Sequence, residues 1–266
     1  LDDQEKGWTK RNEQTAGRRI MNLRFMNAFK RIVIIAGALA VIAGLTGISE
    51  SYGEYRWKKV MYSPGLKGKT VILDPGHGGT DPGAVAEGVR ETELNMKLAL
   101  ELKTKLEQRG VRVELTRSED DGLIAKKTMS YLEQWMILQK RKRFALDRRG
   151  HIFLSLHANS HKSPAVSGGI VFYSDEISAP LAQDIQERLN NLDTRKRQVE
   201  RKNFTVINNN EMPSVLIEAG FITHPGDRER LVSQSGQVAE LIAEGLENYA
   251  RDLKPPVSAV AEEPND

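Results

Sequence analysis

Residues 70 to 83 read TVILDPGHGGTDPG, an apolar run that stops at an aspartate and gives way to a loop holding four glycines and two prolines. A β-branched and leucine-containing run closed by such breakers is the mark of a buried strand that ends at the lip of a sheet. The text on either side fixes what that strand belongs to. Leu94, Leu98, Leu102 and Leu106 recur at helical spacing over 91 to 109, Gly110 stops the pattern, and VRVEL (111 to 115) alternates as a strand does. IFLSL (152 to 156), GIVFY (169 to 173) and SVLIE (214 to 218) are further strands. Leu181, Ile185 and Leu189 mark one more helix, and Val238, Leu241, Ile242 and Tyr249 mark the last. Strands and helices that alternate on this scale predict an α/β fold, a single catalytic domain over 70 to 252 with a mostly parallel central sheet flanked by helices.

Two stretches of that domain and its tail resist the pattern. Residues 119 to 140 start polar and turn apolar at Leu132, Trp135, Met136, Ile137 and Leu138, which reads as a helix or a lid. The end, 253 to 266, holds three prolines in PPVSAVAEEPND and no periodicity, so it is expected to be disordered.

Composition narrows the chemistry. The 266 residues contain no cysteine, which excludes disulfides, thiolate zinc sites, iron–sulfur clusters and a cysteine nucleophile. Any metal must be held by nitrogen and oxygen. With 39 basic against 36 acidic residues the chain is only mildly positive, which argues against a dedicated nucleic-acid binder. The 39% hydrophobic content is enough for one full core.

The positive charge is concentrated at the start. Residues 1 to 31 carry eight Lys or Arg against four acids, +4 of the total +3, so the remainder stands at −1. Directly after Lys30 and Arg31 comes IVIIAGALAVIAGLTGI (32 to 48), seventeen residues without a charge. A membrane span needs ~17 to 25 apolar residues, and basic residues before it stay on the cytoplasmic side. This N-terminal membrane segment, followed by a linker over 49 to 69, is expected to tether the domain outside the cytoplasmic membrane. A cleaved signal peptide and a buried core helix are the other readings of the same run; Gly44 to Ser51 offers small residues but no Ala-x-Ala cleavage site. Met21 offers an alternative start to the signal.

Three polar groups fall where strands end: His77 in the loop after the first, His157 after IFLSL, and Glu218 closing SVLIE. The carboxyl ends of strands form the ligand crevice of α/β sheets. Glu91 opens the helix after the glycine-rich loop, which can fold back and bring it near His77. Two histidines and a carboxylate make a catalytic zinc set when the fourth position stays open. Each residue also has a plainer reading. His77 reads equally as a turn residue, His157 as a hydrogen-bonded core histidine, and Glu91 as an acid favoured by the helix dipole. Glu218, ending a Val-Leu-Ile run, has to be paired or functional. His151, ahead of its strand, and His161, in a polar loop, are expected to be solvated. His224, in a Thr-His-Pro turn six residues after Glu218, is a candidate substrate contact. Asn159 and Gly168 are candidates for lining the substrate cleft, although Asn159 reads equally as a turn cap. The loop lacks the spacing of a nucleotide-binding motif.

The blocks ILDPGHGGTDPGAV (72 to 85), GVRETELNMKLALEL (88 to 102), VELTR (113 to 117), FLSLHANS (153 to 160) and MPSVLIEAGFITHPGD (212 to 227) together resemble the zinc-dependent, type 3 N-acetylmuramoyl-L-alanine amidases of bacterial cell walls. They come in family order across 70 to 250. The resemblance implies His77, Glu91 and His157 as ligands of one Zn2+ and Glu218 as the catalytic carboxylate. Glu-Thr-Glu at 91 to 93 and Thr-His-Pro at 223 to 225 depart from the usual Glu-Lys-Asp and Ser-Asn-Pro without removing a ligand. The implied substrate is peptidoglycan, cut between N-acetylmuramic acid and L-alanine.

Within the family, the membrane signal, the lone domain, and the insert 119 to 140 with Tyr131, followed by Leu138 and Arg141, look most like the sporulation amidase that prepares muramic-δ-lactam in the spore cortex. That likeness implies a peptidoglycan deacetylase as a functional partner and a forespore or spore-envelope location. A vegetative wall-turnover amidase, a zinc peptidase acting within the stem peptide, and a non-catalytic wall-binding protein are the competing readings.

Overall fold

The computed structural model describes residues 64–79, 81–118, 130–193, 195–208 and 211–253. The expected membrane segment, most of the linker, residues 119–129 of the insert and nearly all of the tail lie outside the described residues. Among the described residues, no helix is long and apolar enough to cross a membrane.

The elements run β1 (Thr70–Pro75), β2 (Val85–Ala86), β3 (Val89–Arg90), α1 (Glu91–Gln108), β4 (Arg112–Leu115), α2 (Tyr131–Asp147), β5 (Ile152–Asn159), β6 (Ile170–Tyr173), α3 (Ala179–Leu189), β7 (Glu200–Arg201), β8 (Ser214–Phe221), α4 (Pro225–Ser233) and α5 (Ser235–Arg251). Six strands form one sheet in the order β4-β1-β5-β8-β6-β7, and β2 with β3 make a small separate hairpin. Every neighbouring pair in the large sheet is parallel except β6 with β8. The expected α/β architecture with a mostly parallel sheet is therefore present.

Strand alternation gives the sheet two different faces. Val71, Leu73, Leu154, Leu156, Val171, Val215 and Ile217 point to one side, where they pack with Leu94, Leu98, Leu102 and Leu106 of α1, with α3 and with α5. The leucines of α1 lie four apart and all four are buried, so the helical spacing in the sequence is the packing face itself. Gly110, at φ +76, lets the chain leave α1 and turn straight into β4.

The opposite face carries Ile72 and Asp74 on β1, Phe153, Ser155 and His157 on β5, and Leu216 and Glu218 on β8. Among the described residues, the second half of α2, with Arg141 and Ala145 buried, and the segment around Val206, Ile207 and Met212 lie over it. Its polar residues gather toward the carboxyl end. The illegible insert thus resolves in part: α2 is a helix, opened by a capping box in which the Ser130 hydroxyl accepts from the Glu133 amide while the Glu133 carboxylate accepts from the Ser130 amide.

His151 corrects an expectation. It does precede β5 at the far end of the sheet, but it is 6% exposed and its Nδ1 accepts the Thr70 amide at 3.0 Å, so it is not solvated. The apolar strand start around it draws the ring inside, and burial with the nearby Lys69 and Arg112 charges pushes its pKa down to about 4. His161 is exposed, as expected.

Candidate active site

β5 and β8 pair in register so that His157 stands opposite Glu218. Residues opposite one another on adjacent strands share a face, so these two side chains are neighbours by construction. The register slips between His157 and Asn159, a bulge at the point where the strands reach the lip.

Glu91 comes from the other side, at the first turn of α1, 5% exposed. One of its oxygens, Oε1, lies 3.1 Å from His77 Nε2 and 2.9 Å from His157 Nδ1. The other, Oε2, accepts the Ala84 amide at 2.9 Å, which ties the carboxylate to the β2 hairpin. The two imidazoles meet edge to face, centroids 5.0 Å apart. Asp81 Oδ2 sits 2.8 Å from His77 Nδ1, so it orients the ring and leaves Nε2 aimed at Glu91.

Close approach is possible only because of two glycines. A Cβ on Gly76 would lie 2.2 Å from the His157 ring, and one on Gly83 would lie 2.6 Å from Glu91 Oε2 and 2.7 Å from His77. His77 itself is left-handed, at φ +60, a conformation that non-glycine residues adopt at a cost.

Electrostatics separates the roles of the two glutamates. Burial pushes the Glu91 carboxyl up, but hydrogen bonds and charge from His157 and His77 overcome it and hold the group far below the usual carboxylate range. His77 is likewise opposed by burial, yet its Asp81 and Glu91 hydrogen bonds raise it to about 9. Glu218 has no such support. Its Oε2 is buried and without a hydrogen-bond partner among the described residues, and burial pushes the carboxyl up to about 7.

The trio fits a cation. One donor atom from each of His77, Glu91 and His157 falls within 4.8 Å of the others, and this is the set of metal-competent side chains found among the described residues. Tetrahedral zinc with bonds of ~2.0 to 2.2 Å separates its ligands by roughly 3.3 Å, close to the 2.9 and 3.1 Å seen between Glu91 and the two histidines. Two imidazoles and one carboxylate would supply three of the four ligands a catalytic zinc ion takes, with Glu218 on the strand beside His157.

The remaining candidates have hydrogen-bond partners of their own. His224 is the N-cap of α4, its Nδ1 accepting the Asp227 amide at 3.1 Å. The Gly168 amide donates to Asp227 Oδ2 at 2.9 Å. Asn159 Oδ1 accepts from the adjacent Ser160 amide, the turn-capping alternative. Asp227 is what the sequence reading missed: fully buried, it also accepts the Phe221 amide at 2.8 Å and so staples the exit of β8 to the loop before β6. Asp81 was missed as well, although it sits inside the opening stretch; an acid four residues after a candidate ligand histidine was the available signal.

The family model for N-acetylmuramoyl-L-alanine amidases, Amidase_3, matches residues 71–248. The chain belongs to that family. The germination-specific N-acetylmuramoyl-L-alanine amidase of Bacillus subtilis (strain 168) is 30% identical over 200 residues, 73% of this chain and 84% of that protein. The N-acetylmuramoyl-L-alanine amidase LytC of the same organism is 35% identical over 191 residues, 69% of this chain but 36% of the longer LytC. Among solved structures, the CwlD amidase of Clostridioides difficile, determined in complex with the GerS lipoprotein, superposes with a TM-score of 0.64 at 30% identity, covering 68% of this chain and 98% of that one. The enzyme is thus an amidase of cell-wall peptidoglycan, and the His/Glu/His cluster lies inside the matched region.

Proposed function

We propose that this amidase is zinc-dependent, that His77, Glu91 and His157 hold the ion, and that Glu218 is its proton-transfer residue. The observation that carries this reading is the pairing of an ionised carboxylate, hydrogen-bonded to both histidines, with a second beside it whose buried Oε2 has no hydrogen-bond partner among the described residues. A zinc ion in that cluster supplies Lewis acidity, lowering the pKa of water and polarising the scissile carbonyl. Glu218 accepts the proton of the attacking water and passes it to the departing L-alanine nitrogen, which leaves as an amine while the lactyl group of N-acetylmuramic acid becomes a free carboxylate. Asp81 keeps His77 in the tautomer that presents Nε2.

The likeness to the germination-specific amidase supports the finer reading, spore-cortex maturation, with vegetative wall turnover as the alternative. In this reading the freed lactyl carboxyl closes on the sugar amine exposed by a separate deacetylase, giving muramic-δ-lactam. The domain acts outside the cytoplasmic membrane, held there or released by residues 32 to 48. The GerS complex of CwlD favours a protein partner for this chain as well.

Elemental analysis tests the metal: one zinc per chain is expected in the wild type and a loss of zinc in His157→Ala, since two remaining ligands rarely hold a catalytic zinc. Full zinc in His157→Ala contradicts the ligand set. Muropeptide analysis of spores lacking the gene tests the cortex role, and normal δ-lactam content refutes it while leaving the amidase chemistry untouched.

A further inference from the structure

The turn Pro75-Gly76-His77 offers three consecutive carbonyls, and two buried guanidinium groups bind all three, with Asn95 of α1 a further donor to Gly76 O at 3.3 Å. Arg117, which follows β4, donates from Nε to Pro75 O at 2.9 Å and from Nη2 to Gly76 O at 3.2 Å, and it is braced by Thr92 at the start of α1. Arg141, in the middle of α2, donates from Nη1 to Pro75 O at 3.1 Å and from Nη2 to His77 O at 2.7 Å. Its Nη1 also meets Asp74 Oδ1 at 2.9 Å. Each arginine is 5% exposed. Gly78 is shaped to this arrangement, because a Cβ there would lie 2.9 Å from Arg117 Cδ.

Two buried cations beside a single aspartate are an unfavourable set on their own; burial and the Arg141 charge together lower the Arg117 pKa to about 10. What the pair gains in exchange is the backbone of one turn, and that turn holds His77 in its left-handed conformation. Relaxing it would swing the imidazole away from Glu91. We propose that Arg117 and Arg141 are positioning residues that lock the Pro75-Gly76-His77 turn in the conformation from which His77 binds the metal. Neither touches the metal cluster directly. The inference rests on the zinc reading of His77, Glu91 and His157.

Lysine at either position keeps a positive charge but cannot span two carbonyls with a planar fork. Arg141→Lys retains a partner for Asp74, and Arg117→Lys leaves the Asp74 pair untouched, so the second variant tests the clamp even where the first fails to fold. The full chain, stripped of metal and shown to be folded by circular dichroism, is titrated with zinc in competition with a chromophoric chelator. The clamp predicts zinc affinity ~10- to 100-fold weaker in each folded variant, the usual effect of removing an outer-shell support. Cobalt(II) substitution adds a spectroscopic check, with the absorption bands of the variants shifted from those of the wild type. Wild-type zinc affinity in a folded Arg117→Lys or Arg141→Lys, even with a lowered melting temperature, overturns the proposal and leaves both arginines as stabilising residues only. A wild-type chain that takes up no zinc overturns the metal reading instead, so the two failures are distinguishable.

Discussion

Burial, with no hydrogen bond to Glu218 Oε2 among the described residues, raises the carboxyl of the metal-free chain from an ordinary value of 4.5 to about 7, and Glu218 governs two measurable properties. Glu218→Gln keeps all three ligands and loses the proton carrier, so zinc content stays at the wild-type level while turnover falls by ~10² to 10⁴, the range general acid–base catalysis contributes. Near-normal turnover in that variant removes Glu218 from the mechanism. The second property is stability of the metal-stripped protein. Between pH 4.5 and 7 the folded chain keeps a proton on Glu218 that the unfolded chain has released, so wild-type stability from this group falls as pH rises. Glu218→Gln does not titrate, and urea denaturation should show the variant gaining on the wild type across that window by up to about 3 kcal/mol. Glycine makes the other prediction at this scale: Gly76→Ala drives a methyl into the His157 ring and should abolish zinc binding, read by elemental analysis. Retained stoichiometric zinc there contradicts the packing of the site.

The elements set what could be read in advance. Strands β1, β5, β6 and β8 and helices α1, α3 and α5 follow from apolar periodicity, because each buries one regular face against the same core. His77, Glu91, His157 and Glu218 were legible as candidates because strand ends and a helix start expose polar groups next to apolar runs. The elements that escaped are those whose positions depend on partners distant in sequence. α4, Pro225–Ser233, is a short polar helix marked by Pro225 and the His224 cap, and only the contacts of Asp227 with residues 168 and 221 show its purpose. α2 carried a readable capping box in Ser130-Tyr-Leu-Glu133, but its apolar first turns, with Tyr131 and Leu132 exposed, break the amphipathic pattern that identifies a core helix. The burial of His151 was missed for the same reason, since solvation depends on what the sheet end packs against. Its buried ring, with pKa lowered from 6.5 to about 4, makes a test. The unfolded chain takes up a proton below pH 6.5 that the folded chain refuses until about 4, so this contribution is present above 6.5 and is lost as the pH falls. His151→Asn can still accept the Thr70 amide and does not titrate. Its stability relative to wild type should improve by up to about 3 kcal/mol as the pH is lowered through that window, measured by denaturant unfolding. A pH-independent difference means the ring is hydrated.

At the scale of the molecule, one face of the sheet supplies the core, the other carries His157 and Glu218, and Glu91 joins them from α1 at the carboxyl ends of β1, β5 and β8. That arrangement brings His77, Glu91, His157 and Glu218, which come from four separate blocks of the sequence, to one lip. The proposed tether or export signal, the uncharged run of 32 to 48, lies far from the motifs in sequence. A reporter fused after residue 60 should be active only outside the cytoplasm, and cytoplasmic activity alone contradicts the proposed tether or export signal. The central claim, hydrolysis by zinc held at His77, Glu91 and His157 with Glu218 moving the proton, is tested most directly by digesting purified peptidoglycan with the full chain and labelling the new amino termini. The account predicts new L-alanine termini released from intact glycan strands, lost on chelation, restored by zinc, and nearly absent with Glu218→Gln. New termini at any other residue of the stem peptide, or unchanged L-alanine release after chelation, would contradict it.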